Sequence, residues 1–184
     1  MSLTPSNMIP LGSPAPDFTL PDVLSNTQVS FDIATGKLAT VVMFICNHCP
    51  YVKHINPQLV LLANEYMPRG INFVAISSND AVAEPADSPE KMKELALKLK
   101  YPFPYLYDET QQIAKAYDAA CTPDFFIFDS NKKLVYRGQL DDSRPSNNVP
   151  LSGNDIRQAL DALLAGKAVS PRQRPSIGCN IKWK

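Results

Sequence analysis

Val41-Val42-Met43-Phe44-Ile45-Cys46-Asn47-His48-Cys49-Pro50 is the stretch whose reading decides the fold. Its first half is short, apolar and rich in β-branched and aromatic residues, which reads as a buried strand. Its second half is a Cys-x-x-Cys pair followed at once by proline. Pro50 suits the first turn of a helix, where no intrahelical partner is lost for its missing N–H. Cys46 is therefore expected where a strand hands over to a helix. A helix N-terminus favours negative charge, and the thiolate is the reactive form of cysteine. The reading gives Cys46 the lowered pKa and the greater exposure, with Cys49 as the second thiol one turn on. His48, just before Cys49, is expected as an imidazolium that stabilises the Cys46 thiolate and makes the pair more oxidising.

A Cys-x-x-Cys is also half of a zinc site. Zinc takes four ligands, usually from two such pairs or an added histidine pair. The remaining cysteines, Cys121 and Cys179, stand singly, and His48 and His54 both crowd the first pair. A redox dithiol fits better, so neither a metal nor an organic cofactor is expected.

Working outward, Pro50 to Tyr66 reads as one helix. Ile55, Leu59, Leu62, Ala63 and Tyr66 recur on one face, and Pro57 lies inside as an expected kink. Ile71 to Ile76 is a second buried strand ending in the polar Ser77-Ser78-Asn79-Asp80. Ser88 and Pro89 open a helix through Lys100, and Asp108 is expected to cap another from Glu109 to Tyr117. Asp124 to Phe128 reads as a strand, with Lys133 to Gly138 as its hairpin partner. Ser152 is expected to cap a helix over Asp155 to Leu164, stopped by Gly166. Upstream, residues 15–22 and Val29-Ser30-Phe31 form an N-terminal hairpin. One domain of 1–184 is expected, with its core over about 12–166 and a proline-rich tail over 167–184.

The 184 residues carry 18 Lys+Arg against 18 Asp+Glu. Zero net charge gives no footprint for nucleic acid or an acidic membrane surface. The N-terminus shows no basic, apolar signal pattern, and no apolar run reaches the length of a bilayer span. Those readings point to a cytoplasmic protein with no membrane partner, where a Cys-x-x-Cys is more often catalytic than structural.

The βαβ layout with Cys-x-x-Cys at its first junction resembles the thioredoxin fold: a central mixed β-sheet flanked by helices, here with an N-terminal β-hairpin extension. Cys121-Thr122-Pro123 stands before the third strand as Thr-Pro does in many thioredoxin-like proteins. The resemblance implies a cis Pro123 facing the dithiol, with Thr122 offering its backbone to substrate. Ala15-Pro16-Asp17-Phe18 and Tyr136-Arg137-Gly138 resemble the redoxin branch, which includes the AhpC/TSA and thiol-disulfide carrier families. That branch implies redox-homeostasis or antioxidant work. The partners implied are a disulfide-containing protein or small molecule and an upstream thiol or dithiol reductant.

Two departures matter. Peroxiredoxins carry Pro-x-x-x-Thr/Ser-x-x-Cys, but the matching positions are Ala39 and Met43 before Cys46, or Val42 and Cys46 before Cys49. Peroxidase chemistry is thus disfavoured against thiol–disulfide exchange. Thioredoxin also buries an aspartate six positions before its first cysteine, where this chain has Thr40. Asp80 and Glu84 are distant stand-ins for that proton acceptor. Cys121 and Cys179 are candidate accessory thiols, for electron relay or a second disulfide, with Trp183 anchoring the tail. A non-catalytic binding protein or metal carrier stays open as another class.

Overall fold

The computed structural model describes residues 3–184. In chain order it contains β1 (Leu3–Pro5), β2 (Thr19–Pro21), β3 (Gln28–Ser30), α1 (Phe31–Ala34), β4 (Ala39–Phe44), α2 (Pro50–Tyr66), β5 (Ile71–Ser77) and α3 (Pro89–Leu99). There follow β6 (Tyr105–Tyr107), α4 (Gln112–Ala116), β7 (Cys121–Thr122), β8 (Asp124–Asp129), β9 (Leu134–Gly138), α5 (Asn154–Leu164) and β10 (Ile177–Asn180).

The main sheet has the order β6-β5-β4-β8-β9. β4 pairs parallel with β5 and antiparallel with β8, so the sheet is mixed, as the sequence predicts. β4 is buried along its whole length, which explains its unbroken apolar run. Its side chains alternate between two cores. Val41 and Met43 face the core that takes in Ile55, Leu59 and Leu62 of α2 with Ile156 and Leu160 of α5. Val42 and Phe44 face the other, which is aromatic: Phe31, Tyr117, Phe126 and Phe128 meet there edge to face. Burying one such side chain contributes on the order of 2 kcal/mol.

The N-terminal hairpin forms between β2 and β3. α2 runs unbroken through Pro57, which is on its exposed side, where a carbonyl left without an N–H partner faces solvent. Two helix starts differ from expectation. α4 begins at Gln112 rather than Glu109, with Gln111 at the cap position, and the Asp108 carboxylate reaches its first turn from outside, accepting from the Ala114 N–H and the Ser78 hydroxyl. α5 is capped by Gly153 (φ +68°), because the Asp141 carboxylate takes the N–H groups of both Ser152 and Gly153.

The largest difference is in the tail. Residues 177–180 form β10, the middle strand of a second sheet ordered β1-β10-β7. Ile181, at 1% exposure, anchors the end of the chain, while Trp183 is 43% exposed and has Lys115 over its ring. The expected anchor was thus displaced by a smaller neighbour that points inward. Among the described residues no helix is long and apolar enough to cross a membrane.

Candidate active site

β4 ends where the Ile45 N–H donates to the Ile76 carbonyl, and the Cys46-Asn47-His48-Cys49 turn follows. Cys49, not Cys46, is the N-cap of α2, with Pro50 in the first turn. The helix begins at Pro50 as read, so the effect of its N-terminus falls on Cys49 and not on Cys46 three residues earlier. The two thiols do not differ in exposure either, with Cys46 at 1% and Cys49 at 0%.

A carboxylate not picked out from the sequence holds this turn. Asp87, fully buried, accepts through Oδ1 from the Asn47 N–H (2.7 Å) and the His48 N–H (3.1 Å). Its Oδ2 accepts from Asn79 Nδ2 (2.8 Å) and pairs with His48 Nδ1 (2.6 Å). Asp87 is on the loop after β5, the parallel neighbour of β4, so both C-terminal strand ends open onto one edge. That edge is where loops of α/β folds gather functional groups. Asp80 and Glu84 do not hold the turn; the Asp80 carboxylate instead accepts from the Val82 N–H.

The Thr122–Pro123 peptide bond is cis, and Thr122 meets both thiols. Its hydroxyl is 3.3 Å from Cys46 Sγ, and its carbonyl oxygen is 3.3 Å from Cys49 Sγ. Cys179 completes the group, with its Sγ 2.8 Å from that of Cys49. The register explains why this cysteine and not Cys121 joins. Cys179 stands opposite Thr122 on β7, while Cys121 stands opposite Asn180 on the alternate face. The Cys121 thiol donates to the Pro123 carbonyl (3.7 Å), so the structure leaves it outside the dithiol cluster. Gly178 permits the approach, since a Cβ there would lie 1.9 Å from the Thr122 oxygen.

Electrostatics divide the thiols. Cys46 is raised well above the usual thiol range by its hydrogen bond to Cys49, then by burial, then by the Asp87 charge. Cys49 is lowered, first because Cys46 donates to it; the Cys179 thiol and the Val52 and Cys179 N–H groups add to this against burial. The proton is thus held less tightly at Cys49 than at Cys46, the reverse of the sequence expectation, because the Cys46 and Cys179 thiols and the Val52 and Cys179 N–H groups all direct hydrogen bonds to it. Cys179 is pushed up to about 12 by burial and by its hydrogen bond to Cys49. Burial also raises Cys121. His48 is raised chiefly by its hydrogen bond to Asp87, and so is protonated more readily than a free imidazole. Its charge is spent on that carboxylate rather than on Cys46. Nε2 is enclosed without a hydrogen-bond partner among the described residues. Cys46, His48 and Asp87 each offer a donor atom within 4.8 Å of the others. That set is one donor short of the four a structural zinc takes.

The chain as a whole is similar to known proteins. A crystal structure of an uncharacterized conserved protein from Geobacillus kaustophilus superposes with a TM-score of 0.99 at 62% identity, covering 100% of this chain and 97% of that one. The thioredoxin domain of a thiol-disulfide oxidoreductase from Bacteroides vulgatus matches with a TM-score of 0.61 at 21% identity, over 71% of this chain and 89% of that one. That likeness shows the fold, which is thioredoxin-like. The thiol-disulfide oxidoreductase ResA of Geobacillus kaustophilus (strain HTA426) is 28% identical over 131 residues, 71% of this chain and 70% of the relative. The model of the AhpC/TSA family matches residues 11–137, which take in the dithiol, Asp87 and Pro123, and the chain belongs to that family.

Proposed function

We propose that this protein is a thiol–disulfide oxidoreductase whose redox-active dithiol is Cys46 and Cys49. The observation that carries the reading is the position of both thiols within 3.3 Å of Thr122, beside the cis Pro123. The ResA relative and the thioredoxin-like fold support it. The substrate is a disulfide in a protein or small molecule, and an upstream thiol or dithiol restores the reduced state.

Exchange runs in two steps. Cys46 attacks one sulfur of the substrate disulfide, and the other leaves as a thiol. The Cys46 proton passes to Cys49, which starts as the thiolate and acts as the base, and from there to the leaving sulfur, so that Cys49 is a thiolate again. Cys49 then attacks Cys46 in the mixed disulfide, releasing the second substrate sulfur and leaving a Cys46–Cys49 disulfide. Asp87 fixes the turn so that the two sulfurs stay in line with Thr122.

Titration in thiol–disulfide buffers, read by alkylation and mass, tests this reading. A reversible two-electron transition confined to Cys46 and Cys49 is expected, within the roughly −270 to −120 mV spanned by dithiol proteins. A pair that stays reduced throughout, or that a bound metal protects from alkylation, would remove the reading in favour of a carrier. Trapping assigns the roles. Cys49→Ser should accumulate the mixed disulfide, and accumulation in Cys46→Ser instead would make Cys49 the attacking thiol. A thiol-dependent peroxidase is the second reading, which family membership favours. Peroxide consumption with a thiol donor separates it from the first.

A further inference from the structure

We propose that Cys179 is a third redox thiol of this site, which exchanges with the Cys46–Cys49 disulfide to give a Cys49–Cys179 disulfide and a regenerated Cys46 thiol. The inference rests on the dithiol reading above and extends it to the C-terminal strand. Its basis is the 2.8 Å separation of Cys49 and Cys179 sulfurs, less than 1 Å beyond a disulfide bond of about 2.05 Å. Cys49 therefore has a thiol on either side, Cys46 from its own turn and Cys179 from β10.

The contact is built rather than incidental. Gly178 is the residue that lets β10 come against Thr122, where any Cβ would strike the carbonyl oxygen. β10 is held on both sides, by β1 and by β7. Beyond it, the Lys182 N–H donates to Asn79 Oδ1 (2.8 Å), and the same Asn79 donates through Nδ2 to Asp87. One asparagine thus ties the tail to the carboxylate that holds the dithiol turn. Cys179 is 2% exposed, so it faces the dithiol and not solvent.

The exchange needs no outside oxidant or reductant. Cys179 gives up its proton and attacks Cys49 Sγ. The Cys46–Cys49 bond breaks and the Cys49–Cys179 bond forms. The bonding electron pair leaves with Cys46, which takes up the proton. One disulfide is present before and after. Burial and the hydrogen bond to Cys49 keep Cys179 protonated in the reduced protein. The second of these disappears once Cys49 is oxidised, while the nearby Lys182 charge still favours the Cys179 thiolate. Oxidation of the dithiol therefore readies the third thiol. The product holds an internal disulfide and an unblocked Cys46 at the same time.

Wild type, Cys46→Ser, Cys46→Ala and Cys179→Ser are equilibrated with glutathione buffers, quenched in acid, alkylated after denaturation and mapped by mass. In wild type the expected result is two populations, one linked Cys46–Cys49 and one Cys49–Cys179 with Cys46 alkylated. Both Cys46 variants should form the Cys49–Cys179 link in most molecules, and Cys179→Ser only Cys46–Cys49. Cys121 should remain alkylatable throughout. If folded Cys46→Ser and Cys46→Ala leave Cys49 and Cys179 unlinked while wild type forms Cys46–Cys49, the relay is wrong and the dithiol stands. If wild type forms neither link, both readings fail. Should Cys46→Ser not fold, Cys46→Ala and the wild-type populations decide the matter alone.

Discussion

Three carboxyl groups among the described residues are buried completely, Asp87, Asp108 and Asp124, and two of them make a contrast, Asp87 beside the dithiol and Asp124 at the start of β8. They lie in opposite states. Asp87 accepts from two backbone N–H groups, an asparagine and a histidine, and is held below the usual carboxylate range although burial pushes the other way. Asp124 accepts from the Ser6 hydroxyl and the Phe125 N–H through one oxygen, and its Oδ2 meets no hydrogen-bond partner among the described residues. Burial pushes it up to about 7. Burial by itself therefore does not set the charge of a carboxyl group here. The number and kind of donors around it do. Asp87 is held ionised by its donors, whereas Asp124 is poised to change charge near neutrality.

Removing the ionisable group at Asp124 gives the largest expected effect. Its folded pKa, about 7, exceeds the unfolded value of 3.8, so the folded state binds more protons between them and loses stability as pH rises. Over that window the loss is ~4 kcal/mol. Asp124→Asn should therefore gain stability over wild type increasingly from pH 4 to pH 7, with a constant gain above. Denaturant midpoints across pH measure it. A pH-independent difference would show that Asp124 stays ionised when folded.

Asp87→Ala tests the other half of the comparison. It leaves the buried Asn47 and His48 N–H groups without an acceptor, which destabilises by about 3 kcal/mol. Asp87 is lowered, so its contribution is present above pH 3.8 and lost as pH falls through the lower folded value. His48 is raised, so its share is complete below pH 6.5 and is lost as pH rises through its folded value. The deficit of Asp87→Ala should thus be greatest between about pH 4 and pH 6.5. The His48 titration, followed by NMR, should move down in this variant. An unmoved titration would mean that the ion pair is not what raises it.

Much of the frame was legible because it is written in local signals. The apolar run of β4, the spacing of Ile55, Leu59, Leu62 and Tyr66 on α2, and Ser88 capping α3 each lie within one stretch of chain. Cys46, Cys49, Thr122 and Pro123 were legible as contiguous motifs. Asp87 was not, because nothing in residues 80–87 ranks one carboxylate above the others; only the fold turns Asp87 inward toward the Asn47 and His48 N–H groups. Its loop, after the strand parallel to β4, was the available signal. Which thiol loses its proton more readily was also hidden, since it depends on donors to Cys49 that only the fold brings in, the Cys179 thiol and N–H among them. Cys179 could be named as a candidate, yet its contact with Cys49 depends on a strand of four residues docking through one glycine. Short strands far apart in sequence leave no periodicity to read.

The smallest expected effect comes from Ser6→Ala, and it separates donor number from burial most directly. The Ser6 hydroxyl donates to Asp124 Oδ1 at 2.7 Å and accepts from the Ser176 N–H at 2.9 Å. Removing it strips Asp124 of its side-chain donor while leaving its burial in place. The carboxyl pKa should rise further, since the Ser6 bond is what lowers it. A hydrogen bond to a charged acceptor contributes roughly 1.5–3 kcal/mol, and one to a neutral acceptor about 1 kcal/mol. Ser6→Ala should therefore destabilise by ~2 kcal/mol at pH 8, where Asp124 is charged, and by about 1 kcal/mol less at pH 5, where it is protonated. Both values come from denaturant curves on wild type and variant. Equal losses at the two pH values would mean that the serine serves only the Ser176 N–H, and that the contrast with Asp87 arises from burial after all.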